Sequence, residues 1–179
     1  MMKTVFLIGY MGCGKTTLGE VLAWQLGCRF IDLDEFIEQR QGLTVVQIFD
    51  EMGENRFREL ETEALREVAS MTDVIVGCGG GTPCHGDNMA LMNQAGVTVW
   101  LTTSPERITA RLLLPEQKSK RPKINTLPAN EVLPLVKKEL QSRSPFYAQA
   151  QLQFDSTDIE TGPATARTAR RLAKLLKSL

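Results

Sequence analysis

Apolar residues are spaced in two ways along this chain. The runs Val5-Phe6-Leu7-Ile8, Val74-Ile75-Val76-Gly77 and Val97 to Leu101 are apolar at nearly every position, as expected of short strands buried on both faces. Arg29-Phe30-Ile31-Asp32-Leu33-Asp34 reads as a further strand that delivers two acids at its exit, and Leu152 to Asp155 reads as a fifth. Between these runs the spacing turns helical. It is clearest after Glu54, where Phe57, Leu60, Ala64, Leu65 and Val68 form one apolar stripe with the charges outward. Punctuation residues set the other helix limits. Thr17 to Leu26 stops at Gly27, a helix from about Glu35 stops near Gly42, and Thr44 with Gln47 makes a capping box for Thr44 to Met52 before Gly53 breaks the pattern. Asp87 is placed to cap a helix ending at Gly96, and Ser104-Pro105-Glu106 opens one that fails near Pro115. A helix from Asn130 toward Ala150 tolerates Pro134 only in its first turn, and Thr161-Gly162-Pro163 opens the last one, with Leu172, Leu175, Leu176 and Leu179 inward. Strands alternating with helices predict an α/β fold, a doubly wound five-stranded parallel sheet that binds its ligands at the carboxyl ends of the strands.

Composition narrows this picture to one domain spanning 1–179, since 179 residues, 42% of them hydrophobic, make one well-packed core and are too few for two. Lysine plus arginine equals aspartate plus glutamate at 21 each, so no global field favours nucleic acid or an anionic membrane, and anion recognition must be local. Met1 to Ile8 is too short and too committed to the first strand to be a removable signal, and no stretch is long enough to span a membrane. Cys13, Cys28, Cys78 and Cys84 lack paired C-x-x-C spacing, and His85 is the lone histidine, which leaves little for a zinc site. Reduced thiols suit a cytoplasmic protein, expected to be a monomer.

The candidate chemistry begins at Gly9-Tyr10-Met11-Gly12-Cys13-Gly14-Lys15-Thr16, a G-x-x-x-x-G-K-T loop lying between the first strand and the first helix. In that context the glycines let backbone N–H groups converge on phosphate oxygens, Lys15 reaches the β/γ-phosphates and Thr16 offers its hydroxyl to Mg²⁺. Gly12, Cys13, Gly14, Lys15, Thr16 and Thr17 are therefore the candidate ATP-binding residues. Asp32 is the best placed acid to orient magnesium-bound water, which frees Asp34 to take or orient the proton of an attacking hydroxyl. Gly79-Gly80-Gly81, following the third apolar run, requires backbone to come close to something. Residues 115–128 (PEQKSKRPKINTLP) are basic, rich in proline and poor in apolar anchors, so the segment at about 114–128 reads as a mobile lid.

Taken together, these residues resemble shikimate kinase over nearly the whole chain. The likeness rests on GYMGCGKT at 9–16, DLD at 32–34, Gly53-Glu54 with Phe57-Arg58 and Glu61, GGG at 79–81, Arg121-Pro122, and Arg143 with Pro145 and Tyr147. It implies a P-loop kinase of the nucleoside-monophosphate-kinase type with a mobile lid, moving the ATP γ-phosphoryl group to the 3-hydroxyl of shikimate in the chorismate pathway. By that resemblance Lys15, Asp34 and Arg121 are catalytic, and Arg58 and Arg143 hold the acceptor's carboxylate. Gly79, Gly80 and Gly81 meet the acceptor with backbone groups, while Arg111 and Pro163 flank adenine. The lid departs from the family, because Lys123-Ile124 follow Arg121-Pro122 where two leucines are usual and the segment is longer. Lys118, Lys120 and Lys123 could then share the work of Arg121.

Two rivals remain at this level. One is another small-molecule kinase of the same fold, acting on gluconate or a nucleotide. The other is a nucleotide switch, against which stands the lack of an N-K-x-D guanine motif.

Overall fold

The computed structural model describes residues 2–118 and 121–178, apart from the side chains of Pro122 and Lys123. Five strands, β1 (Thr4–Ile8), β2 (Arg29–Asp32), β3 (Val74–Gly77), β4 (Gly96–Thr102) and β5 (Leu152–Asp155), form one sheet in the order β2-β3-β1-β4-β5. Every pairing is parallel. Parallel neighbours need crossovers, and the helices supply them on both faces.

The two-residue period of β1 divides the core. Phe6 and Ile8 pack on one side with Val74 and Val76, while Val5 and Leu7 pack on the other with Ile75. The second side is covered by α1 (Lys15–Leu26) and α9 (Gly162–Leu176). Covering the first are α2 (Leu33–Gln41), α3 (Val45–Ala69), α4 (Asn88–Ala95), α5 (Pro105–Leu112) and α8 (Ala129–Tyr147). Both sides are apolar because both are buried, which explains why the strands read as continuous hydrophobic runs. In α3 the backbone leaves helical geometry at Gly53, with φ 80° and ψ 167°, so the expected break is present within one element. The Thr44–Gln47 capping box starts it.

Four local expectations need correction. Strand β2 ends at Asp32 rather than Asp34, because the Asp32 carboxylate accepts from the backbone N–H groups of Asp34 and Glu35 and opens α2 early. Asp87 stands at the start of α4 but its side chain makes no capping bond there. Pro134 lies beyond the first turn of α8, which begins at Ala129, and the helix carries both Pro134 and Pro145. In α9 Leu172 is buried but Leu175 is exposed, and Leu179 lies outside the described residues.

The segment read as a mobile loop with few apolar anchors contains two helical turns, α6 (Pro115–Lys118) and α7 (Pro122–Asn125). Ile124 is fully buried in the main core cluster. The residue that departs from the usual leucine thus keeps an apolar anchor. Among the described residues, no helix is long and apolar enough to cross a membrane.

Candidate active site

The loop between β1 and α1 lies at the carboxyl end of the central strand, and three of its glycines have positive φ: 136° at Gly9, 78° at Gly12 and 99° at Gly14. Those conformations are open to glycine and strained for most other residues. The loop's carbonyls are engaged by side chains. Lys15 Nζ donates to the Gly9 and Tyr10 carbonyls at 2.8 and 3.0 Å, Arg111 Nη1 to Gly12 at 3.0 Å, and Ser156 Oγ to Cys13 at 2.7 Å. The first N–H groups of α1 have no acceptor within their own helix and are therefore available to an anion. Cys13 itself is buried in the core cluster shared with α1 and α9. All four cysteines are free thiols.

Thr16 Oγ1 donates to Asp32 Oδ2 at 3.1 Å. A hydroxyl beside a carboxylate at the end of the phosphate loop suits a hard cation that takes few protein oxygens. Asp34, on the first turn of α2, is in a different setting. Burial first, then the negative charges of Asp32 and Glu61, push its carboxyl up to about 7 against the pull of Lys15. Its Oδ1 is shielded and unpartnered.

Space explains the triple glycine. None of the three residues has positive φ. A Cβ on Gly79 would stand 2.9 Å from Glu61 Oε1 and Thr82 Oγ1 and 3.1 Å from Asp34 Oδ1. On Gly80 it would meet Arg143 Nη1 at 3.4 Å and the Met11 amide nitrogen at 3.5 Å, and on Gly81 it would meet Arg58 Nη1 at 2.8 Å. The bare backbone lets two acids and two arginines close in around one short loop. The phosphate loop, the start of α2 and the triple glycine therefore meet, and Arg58 and Arg143 join them.

Each arginine is aimed by acids on its own helix. Arg58 Nη1 bonds Glu61 at 2.6 Å and Nη2 bonds Glu54 at 3.0 Å, while Nε is shielded without a partner. Burial alone would lower its guanidinium, but the bonds and charges of Glu61 and Glu54 raise it overall. Arg143 Nη2 bonds Glu139 at 3.0 Å and its guanidinium lies 5.3 Å from the centre of the Tyr10 ring. Glu139 also accepts from the Tyr10 hydroxyl at 2.8 Å, and Tyr147 donates to the Gly80 carbonyl at 2.6 Å. Arg143 is thus held in the site and is no solvated helix residue. Glu139 was missed in the sequence, although its four-residue spacing from Arg143 on a helix was a usable signal. Thr82 and Asn88, buried behind the glycines, gave none.

Toward the nucleotide side, all three nitrogens of Arg111 are engaged. Besides the Nη1 bond to Gly12, it donates through Nη2 to the Ser156 and Thr157 carbonyls and through Nε and Nη2 to Glu160, which fixes the plane of its guanidinium. Pro163 is exposed at the start of α9. Arg121 Nη1 donates to the carbonyl and side-chain oxygen of Gln117 at 2.9 and 2.8 Å, and burial pushes its guanidinium down. Lys120 and the Lys123 side chain lie outside the described residues.

A glycine-rich phosphate loop after the central strand, a hydroxyl–carboxylate pair beside it and an acid with arginines at the next strand end define a P-loop kinase. The family model for shikimate kinase matches residues 11–176. A shikimate kinase from Parabacteroides distasonis is 44% identical over 98% of this chain and all of its own length. The crystal structure of shikimate kinase from Bacteroides thetaiotaomicron superposes with a TM-score of 0.93 at 42% identity, covering 99% of each chain. That of shikimate kinase from Acinetobacter baumannii in complex with shikimate gives 0.84 at 31% identity, covering 99% of this chain and 94% of that one. The chain belongs to the shikimate kinase family, and is with it an ATP-dependent kinase. This membership favours shikimate over the gluconate alternative and removes the nucleotide switch.

Proposed function

We propose that the protein transfers the γ-phosphoryl group of ATP to the 3-hydroxyl of shikimate, giving 3-phosphoshikimate and ADP on the route through chorismate to the aromatic amino acids. The observation that carries the acceptor reading is the pair Arg58 and Arg143 against Gly81 and Gly80, next to an Asp34 carboxyl raised to about 7. Planar guanidinium forks match a carboxylate, and a base titrating near neutrality matches an alcohol.

In this reading the loop N–H groups from Gly12 to Thr17 and Lys15 hold the phosphates, and Lys15 leaves its two loop carbonyls for them. Arg111 and Pro163 flank adenine, with the plane of the guanidinium fixed because each of its nitrogens donates within the protein. Arg58, Arg143 and the Gly79–Gly81 backbone fix the acceptor so that its hydroxyl proton passes to Asp34 as oxygen attacks phosphorus. Arg121, on a lid at about 114–128, leaves Gln117 and meets the charge on the moving group. Mg²⁺ would be held by Thr16 and, through water, Asp32, where it draws off phosphate charge. Equal numbers of basic and acidic residues support the reading without a nucleic-acid or membrane partner, free thiols support the cytoplasm, and chain length supports one domain over 1–179, taken as a monomer.

The test is ADP release from ATP and Mg²⁺ offered shikimate, gluconate and nucleoside monophosphates in parallel. Release with shikimate alone is expected. Faster release with gluconate would overturn the acceptor reading while leaving the nucleotide site intact.

A further inference from the structure

Behind the triple glycine lies a buried polar chain. Glu61, Thr82 and Asn88 are 1%, 0% and 1% exposed. Asn88 Nδ2 donates to the Thr82 carbonyl at 2.9 Å, and Asn88 Oδ1 accepts from the Thr62 hydroxyl at 3.0 Å. Thr82 Oγ1 donates to Glu61 Oε1 at 2.5 Å, and Glu61 Oε2 accepts from Arg58 Nη1 at 2.6 Å. The chain therefore runs from α4 through the 3-10 turn Thr82–Cys84 to α3 and ends on the guanidinium.

We propose that Thr82 is a positioning residue for the acceptor's carboxylate, acting through Glu61 on Arg58, with Asn88 fixing Thr82 for that task. The proposal rests on the reading of Arg58 as a carboxylate reader given above. Its physical basis is rotational freedom. A glutamate has three rotatable bonds, and one tether to a flexible arginine leaves the pair free to swing together. A second tether on the other oxygen stops this. Threonine suits that role because its branched Cβ stiffens the hydroxyl's direction, and its backbone is pinned by the bonds from Thr82 N–H to the Gly79 carbonyl and from Cys84 N–H to the Gly81 carbonyl. With one N–H of Nη1 held by Glu61 and one of Nη2 by Glu54, the second N–H of each nitrogen, together with Nε, is left as the donor set whose aim this chain fixes. The convergence of Glu61 Oε1, Thr82 Oγ1 and Asp34 Oδ1 on bare Gly79 places this relay directly behind the acceptor subsite.

The experiment compares Thr82→Val and Thr82→Ala with Thr82→Ser in the full chain, using initial rates and thermal melting. Loss of the hydroxyl should raise the KM for shikimate about 10-fold, at the low end for a hydrogen bond to a charged group, while leaving the KM for ATP unchanged. Serine should restore it. With an acceptor whose carboxylate is replaced by a primary alcohol, neither Thr82→Val nor Thr82→Ala should cost anything further, and adding Thr82→Val to Arg58→Lys should change the KM less than twofold. If Thr82→Val fails to fold, Thr82→Ala carries the same comparison. Wild-type shikimate kinetics without the hydroxyl, or an equal penalty for charged and neutral acceptors, would overturn the relay. Arg58→Lys is the control. If it raises the KM and the Thr82 variants do not, the relay is wrong and the carboxylate reading stands; if it is itself silent, that reading fails first.

Discussion

Two glycine-rich loops meet in this cleft and need glycine for different reasons. In the loop at Gly9–Thr16, Gly9, Gly12 and Gly14 hold positive φ, so the requirement is conformational and belongs to the backbone, with the Leu101 carbonyl and the Ile159 side chain also crowding a Cβ at Gly9 and Gly14. At Gly79–Gly81 no φ is positive, and the requirement is room for Asp34, Glu61, Arg143 and Arg58. A phosphate cradle made of N–H groups must fold its main chain into one unusual shape. A carboxylate and hydroxyl site made of side chains needs a main chain that stays out of the way. The nucleotide end is therefore specific through its conformation, and the acceptor end through the groups that surround a bare strip.

The largest effect expected at the nucleotide end is that of Lys15→Ala. Phosphoryl transfer should be abolished with little change in melting temperature, because Lys15 otherwise bonds only its own loop. Measurable ADP release from that variant would break the account of this end. Arg121→Ala should come next, lowering kcat by about 10³ to 10⁵ with smaller changes in either KM, as for arginines that meet transition-state charge. An unchanged kcat would move that role off Arg121.

Asp34 allows a test by pH on the ligand-free protein. Its folded value of about 7 lies above the ordinary carboxylate value of 3.8, so between these values the native state binds the extra proton and stability falls as pH rises. The contribution is fully present below the unfolded value and lost as pH climbs through about 7. Asp34→Asn should remove this slope and gain about 2–4 kcal/mol at pH 8 over the parent, as read by denaturant melts at several pH values. Parallel stability curves would contradict it.

The smallest predicted effects contrast the loops directly. Gly12→Ala should cost about 1–2 kcal/mol of stability from its φ of 78°, since its Cβ would meet nothing nearer than Leu112 at 3.4 Å, and Gly12→Asn less, since asparagine tolerates the left-handed region. Gly81→Ala should leave stability nearly unchanged and raise the KM for shikimate, because its Cβ displaces only the tip of Arg58. Asparagine there should be no better than alanine. Equal behaviour of the two sites would erase the distinction.

Much of the nucleotide end was legible in the sequence, since a loop that requires particular φ values repeats its glycines and lysine at fixed spacing. The parallel five-stranded sheet and its two-sided core followed from the apolar runs, whereas the order β2-β3-β1-β4-β5 had no signal in them because long-range pairing sets it. The acceptor end was legible through resemblance more than through spacing. Arg58 and Arg143 are far apart in the chain and converge only when α3 and α8 pack beside the triple glycine. The early start of α2 was hidden because Asp32 serves as both strand end and cap, and the buried anchor Ile124 looked like an isolated apolar residue in a basic loop. Thr82 and Asn88 carry no periodicity or charge that could betray a role.

The central claim, that the acceptor end recognises a carboxylate with planar forks while the nucleotide end is independent of it, is tested most directly by Arg58→Lys and Arg143→Lys. Lysine keeps the charge and loses the fork. Each variant should raise the KM for shikimate roughly 10- to 150-fold, corresponding to a charge-assisted bond of about 1.5–3 kcal/mol, with the KM for ATP nearly unchanged. Wild-type KM for shikimate in both variants, or matching rises in both substrates' KM, would contradict it.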